Sequence, residues 1–236
     1  MKYLNVCLVI LICGLMMATQ TLAASISGKV AYDGDVPKFK PIKMDADPVC
    51  VTKHAGEVIP QTLVLGENKG MANVFVHIKS GIPKKDYPVP QEEVILTQEG
   101  CMYSPHVLGV RVGQTVKILN PDGTLHNVHS MSKINPEFNL AMPKFRKEVT
   151  KVFDKEEFMF AMRCDVHPWM GAWVTVTNHP FFNVTKTDGL YAIDNLPAGE
   201  YVVEAWHEKL GTKTETITIA EGETKELNFT FSRPSK

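Results

Sequence analysis

The stretch Cys164-Asp165-Val166-His167-Pro168-Trp169-Met170 places a thiol, an imidazole and a thioether on one short segment, each three residues from the next. Thiolate and thioether are soft ligands that select copper, and imidazole binds copper as well. Two imidazoles and a thiolate in a trigonal set, with a weak axial thioether, make an electron-transfer copper site. One segment cannot supply both imidazoles, so the set requires another His from a neighbouring strand. Leu125-His126-Asn127-Val128-His129 offers one. If 125–129 is extended, His126 and His129 point to opposite faces, and only one reaches the Cys segment. Zinc competes for the same residues, because His126-x-x-His129 with Cys164-x-x-His167 looks like a split zinc site. Zinc leaves Met170 without a role.

Such ligands need a rigid scaffold. The chain has 236 residues, enough for one or two domains with a sizeable core. Its net charge is −1 and its Lys residues are scattered, which points away from nucleic acid and anionic lipid as partners. From Ala24 onward it reads as short strands and turns, with no long amphipathic helix. Phe158, Phe160 and Met162 alternate ahead of Cys164, so strand parity predicts that all three share the core face with it. Residues 36–60 carry Pro37, Pro41, Pro48 and Pro60 and predict a long ordered loop; 130–147 predicts a second. A boundary is expected near Asn178-His179-Pro180. Beyond it, closely spaced strands and Gly/Pro turns predict a small β-sandwich.

Residues 1–23 read as a secretory signal, with Lys2, an apolar stretch from Leu4 to Met17, and small residues at Thr21-Leu22-Ala23. Its removal takes Lys2 and leaves a net charge of −2. It also takes Cys7 and Cys13, leaving Cys50, Cys101 and Cys164. An odd count in an exported protein implies one disulfide and one thiol with another task. If Cys164 is a ligand, Cys50 and Cys101 are the pair; the alternative is two reduced structural cysteines.

Residues 110–177 resemble a cupredoxin. Val112-Gly113-Gln114-Thr115-Val116, then Asn120 and Asp122, then His126-Asn127-Val128-His129, are similar to the approach to the first His ligand in plastocyanins and amicyanins. The tight spacing of Cys164, His167 and Met170 resembles that of amicyanin. The resemblance implies His126, Cys164 and His167 as strong copper ligands and Met170 as the weak axial one. It also implies that Asn127 ties its strand to the Cys loop, where Asp165 stands in place of the usual small hydroxyl residue. Residues 180–231 resemble a carboxypeptidase-regulatory-like, transthyretin-type sandwich through Thr187-Asp188-Gly189, Leu196-Pro197-Ala198-Gly199-Glu200-Tyr201 and Glu204-Ala205-Trp206.

The expectation is therefore an all-β chain: a signal at 1–23, a cupredoxin-like Greek-key barrel or sandwich with an N-terminal extension at 24–178, and a small transthyretin-like sandwich at 179–236. Whether 24–105 forms a separate domain is open at this stage. The expected function is one-electron transfer by a periplasmic or otherwise exported, non-enzymatic protein carrying one type 1 copper and serving redox partner proteins. No nucleic acid and no membrane insertion after signal removal are expected. Copper delivery and a zinc-stabilised interaction module are the alternatives. His106 reads as a polar residue at a strand start and His77 as a strand-surface residue, while His54, His179 and His207 have no visible partner. His167, on the loop, is expected to have the easier route to solvent, so that reduction is coupled to proton uptake.

Overall fold

The computed structural model describes residues 23–233; residues 1–22 of the expected signal, with Cys7 and Cys13, lie outside them. No helix among the described residues is long and apolar enough to cross a membrane. The helical elements are short, and α1 (Pro48–Thr52) is the one that bears on the site.

Two sandwiches account for the strands. In the first, β3 (Val94–Glu99), β4 (Met102–Ser104), β6 (Thr115–Leu119) and β9 (Glu148–Val152) form a four-stranded sheet in the order β4-β3-β6-β9. It packs on a five-stranded sheet, β5-β11-β10-β7-β8, made of β5 (Val107–Arg111), β7 (His126–Ser130), β8 (Phe138–Met142), β10 (Glu157–Arg163) and β11 (Gly171–Thr177). Alternating residues of both sheets meet in one core around Leu96, Ile118, Val128, Phe160, Met162 and Val174.

The second sandwich is split in sequence. One sheet holds β1 (Ala24–Tyr32) between β13 (Leu190–Leu196) and β16 (Thr224–Glu226), with β17 (Phe229–Phe231) also on β1. The other runs β12-β2-β14-β15, from β2 (Phe75–Ser80), β12 (Phe182–Val184), β14 (Gly199–His207) and β15 (Gly211–Ile219). Their core unites Ile26, Val30, Val76 and Ile78 with Ile193, Tyr201, Val203 and Phe229. The expected division into 24–178 and 179–236 is therefore corrected. β1 pairs with β13, β16 and β17, and β2 pairs with β12 and β14, so N-terminal strands sit inside the C-terminal sandwich. The first sandwich is an insertion between β2 and β12. The local sequence of β1 and β2 suits either sandwich, and only long-range pairing shows which sheet they complete.

Buried Arg111 clamps the two crossings between sandwiches. Its guanidinium donates to the carbonyls of Tyr87 (3.1 Å) and Pro88 (3.3 Å) on one crossing and Thr177 (3.3 Å) and Asn178 (2.7 Å) on the other. An aromatic seam joins the sandwiches: Phe158 lies edge-on to Phe75 and Trp206, and Trp173 lies edge-on to Trp206. This seam explains the failed parity of Phe158. A register shift falls between Glu157 and Phe160, where Met159 has φ +47°, and the extra residue turns Phe158 outward while Phe160, Met162 and Cys164 keep the core face. His77 is likewise not a free surface residue; its ring faces Phe158 and its Nε2 lies 3.2 Å from Glu204.

Glu157 organises the long 130–137 segment. It accepts from the Ser132 hydroxyl, from the backbone N–H of Lys133 (2.6 Å) and Asn135 (3.1 Å), and from Asn135 Nδ2 (3.1 Å). Burial pushes this carboxyl up, but those donors outweigh it and hold it at about 2. Burial pulls His179 and His207 down to about 4. Because the unfolded chain takes these protons first, stability declines as pH falls from 6.5 toward 4 through the histidines. It declines again from 4.5 toward 2 through Glu157. Glu157→Gln is expected to cost about 3 kcal/mol at neutral pH and to flatten the lower limb. Urea midpoints across pH check this, and an unchanged acid limb would remove Glu157 from the account.

Candidate metal centre

His126 opens β7, Cys164 follows β10, and His167 lies on the loop that leads into β11. Three ties close that loop. The N–H of Met170 donates to the carbonyl of His167 (2.9 Å), and that of Cys164 donates to the carbonyl of Met170 (3.3 Å). Asn127 Oδ1 accepts from the N–H of Asp165 (2.6 Å) and Val166 (3.3 Å), which fastens β7 to the loop as expected. Here the tie runs through the backbone, so Asp165 need not supply a hydroxyl. Its carboxylate instead meets Asn127 Nδ2 (3.2 Å), Asn139 Nδ2 (2.6 Å) and His129 Nδ1 (3.1 Å). Tyr103, buried, donates to the carbonyls of Asn127 (2.8 Å) and Arg163 (3.2 Å), bracing both ligand-bearing strands.

His126, Cys164 and His167 converge, with one potential ligand atom from each within 4.8 Å of the others. The two Nδ1 atoms are 2.9 Å apart, and His167 Nδ1 is 3.8 Å from Cys164 Sγ. Met170 is buried at 1% exposure in the same core. His129 lies on the other face of β7, half-buried, between Asp165 and Glu137 (3.0 Å). The alternation argument for choosing His126 holds in the backbone.

The far nitrogens complete the arrangement. His126 Nε2 is 3.0 Å from Asp122 Oδ2, and His167 Nε2 is 3.1 Å from Asp47 Oδ2. A carboxylate accepts only, so each Nε2 carries a proton and each Nδ1 turns a lone pair toward the other. Two facing lone pairs beside a thiol require either a shared proton or a cation. The charge states follow. Burial opposes a charged His126, yet Asp122 and Cys164 raise its proton affinity above the ordinary value. Burial lowers that of His167, with His126 adding to it against the pull of Asp47. Burial pushes the Cys164 thiol up, and His126 with the backbone groups at Asn127, His167 and Val166 bring it below the ordinary value. The donor set, two oriented imidazoles and an ionisable thiol, fits a soft or borderline cation, and a thioether is buried in the same core.

Asp47 and Asp122 complete the candidate site, and sequence reasoning missed the first and undervalued the second. Asp122 was legible as part of the approach to His126. It accepts from the N–H of Gly100 (3.1 Å) and Cys101 (2.8 Å) and pairs with Lys53 (3.1 Å). Asp47 had no sequence signal. It caps α1 by accepting from the Val49 N–H (2.8 Å) and takes the Thr124 hydroxyl (2.7 Å). Cys50 and Cys101 form a disulfide, and Cys50 Sγ lies 3.6 Å from His167 Nε2. The expected open edge of His167 is therefore corrected. Asp47, Cys50 and the tilted ring of Trp169 cover it, and the residue is 2% exposed. His106 is also more than a strand-start residue, since it bridges Gly171 O (3.0 Å) just after the Cys164–Met170 loop to half-buried Glu208 (2.6 Å) on the split sandwich.

The chain is similar to cupredoxins. A copper-containing nitrite reductase from Thermus scotoductus SA-01 is 20% identical over 41% of this chain and 25% of its own, with a TM-score of 0.32. This chain thus spans a quarter of that enzyme's length. A purple cupredoxin from Nitrosopumilus maritimus is 27% identical over 35% of this chain and 98% of its own (TM-score 0.30). A Cu(I) amicyanin variant is 25% identical over 43% and 97% (TM-score 0.32). The Carboxypeptidase regulatory-like domain family matches residues 166–232, which begin inside the ligand loop and omit β1 and β2. No curated protein matches the chain.

Proposed function

We propose that this is an exported type 1 copper protein that transfers single electrons between protein partners. His126, Cys164 and His167 would hold the ion, with Met170 as the weak axial ligand. The observation that carries the reading is the buried convergence of two Nδ1 atoms and a thiol, each imidazole oriented by its own carboxylate. Copper bound there supplies a one-electron couple. The protein's part is to hold the ligands still: Asp122 and Asp47 fix the two rings, Asn127 fixes the Cys loop, and burial excludes water. A delivery protein needs an open, exchanging site, and these ligands are enclosed. A zinc module would leave the buried thioether of Met170 idle. Export rests on the signal-like segment, and a non-enzymatic role rests on a ligand set without an evident open position.

The test is the visible spectrum of copper-loaded, signal-free protein. An intense thiolate-to-copper band is expected, and Cys164→Ser should lose it. A colourless protein that takes zinc in preference would overturn the reading.

A further expected outcome concerns pH. With its edge enclosed, His167 has no route by which a proton displaces it, so the midpoint potential should stay flat from neutral to mildly acidic pH. Voltammetry showing a rise approaching about 59 mV per pH unit would mean that His167 leaves the metal on reduction.

A further inference from the structure

The route by which a partner reaches this site is not the edge of His167, which the disulfide and Asp47 enclose. A different surface stands at the same end of the inserted sandwich. The turn between β8 and β9 reads Pro143-Lys144-Phe145-Arg146-Lys147. Its tip, Phe145, is 80% exposed, the highest exposure recorded for a large hydrophobic residue among those described. Lys144, Arg146 and Lys147 flank it and are all exposed.

None of these three cations is in an ion pair among the described residues. Arg146 Nη1 donates to the carbonyl of Ala141 (3.1 Å), and Lys147 Nζ lies 3.5 Å from that of Asp122. Both acceptors are neutral, so they shape the turn and leave its charge in place. Elsewhere Lys53, Lys79 and Lys117 each face a carboxylate. A local charge of three positives on a chain of net −1 is a concentrated field.

The turn is anchored to the metal centre. Met142, its preceding residue, pairs with His126, and the N–H of Asn120 donates to Lys147 O (2.8 Å). Neighbouring strands lie about 4.8 Å apart, so the turn begins one strand away from a ligand. The same register brings residue 125 beside residue 143, and Leu125 is 43% exposed. Val166, held to β7 through Asn127, is exposed as well.

We infer that Phe145, with Lys144, Arg146 and Lys147, is the docking surface for a redox protein bearing an acidic rim. The inference rests on the electron-transfer reading and names the partner's chemistry. Carboxylates of the partner meet the three cations and steer the encounter, and Phe145 is the apolar anchor that a charged rim surrounds. An anionic membrane fits less well. Recognition of lipid headgroups uses clusters of four to eight basic residues or an amphipathic helix, and this is a three-cation hairpin turn.

The experiment uses the full signal-free chain, metal-free and copper-loaded, with an acidic flavodoxin and a basic cytochrome c as probes. Amide resonances are followed by nuclear magnetic resonance at low and high salt. The acidic probe should shift residues 143–147 in both forms, lose its effect at high salt, and bind about tenfold more weakly to Phe145→Ala and to the Lys144→Glu/Arg146→Glu/Lys147→Glu variant. The basic probe should leave the turn unshifted. Preserved dispersion of the remaining resonances shows that the variants fold. Shifts confined to another surface, or equal binding by the triple variant, would overturn the inference. So would recruitment to phosphatidylglycerol vesicles through the turn without binding of the acidic probe. Binding is read without metal, so a failed blue spectrum with intact docking would reject the electron-transfer reading and leave the surface standing.

Discussion

His126→Ala should abolish the thiolate-to-copper absorption and weaken copper binding by more than about a hundredfold, while His129→Ala leaves both nearly unchanged. Loss of an outer partner of a metal ligand costs 10- to 100-fold in affinity, so loss of the ligand itself should cost more. The two residues are three apart on β7 and lie on opposite faces. His126 is fully buried with its Nδ1 at the cluster; His129 sits outside it, between Asp165 and Glu137. Misfolding would not mimic the result. After His126 is removed, Asp122 keeps Lys53 and the amides of Gly100 and Cys101, so the buried carboxylate remains paired. Titration with copper under a competing chelator measures the difference. Equal losses in the two variants would mean that both imidazoles bind metal and that the site is of the split zinc type.

Removing the disulfide should have the second-largest effect. Cys50 and Cys101 are 51 residues apart, and closing such a loop is worth about 4 kcal/mol in the chain-entropy treatment. The Cys50→Ser/Cys101→Ser variant should therefore unfold about 8–16 °C lower, for a chain of this size. The bond also staples the cover of the metal centre. α1 carries Asp47 and Cys50 against His167, and the amide of Cys101 is held by the carboxylate that orients His126. The variant should then lose copper to a chelator faster than native protein, beyond what its stability explains at a temperature where both are folded. Peptide mapping of native protein should recover Cys50 joined to Cys101, with Cys164 free once copper is removed. A Cys164 disulfide in copper-loaded protein would sink the assignment of the thiol as a ligand.

By itself the sequence determined which donor types the candidate site could offer. Thiol, imidazole and thioether are properties of residue types, and the even spacing of Cys164, His167 and Met170 on one loop survives any packing. Alternation on β7 separated His126 from His129, because strand geometry is local. The odd cysteine count implied one disulfide and one thiol, and taking Cys164 as a ligand left Cys50 and Cys101 as the pair, which the structure joins; the turns at Gly189 and Gly199 marked the second sandwich. What surrounds the site was decided only by tertiary structure. Asp47 reaches His167 across 120 residues, and nothing near either residue in sequence signals it. A bulge at Met159, invisible to a strict two-residue period, turned Phe158 from the core to the seam between sandwiches. The place of β1 was equally hidden. Its apolar alternation states that one face is buried and does not state against what. Pairing with β13, β16 and β17, more than 150 residues away, made the N-terminal strand part of the C-terminal sandwich and the sandwich that carries the candidate site an insertion within it. Local periodicity sets which way a side chain points; long-range pairing sets what it meets.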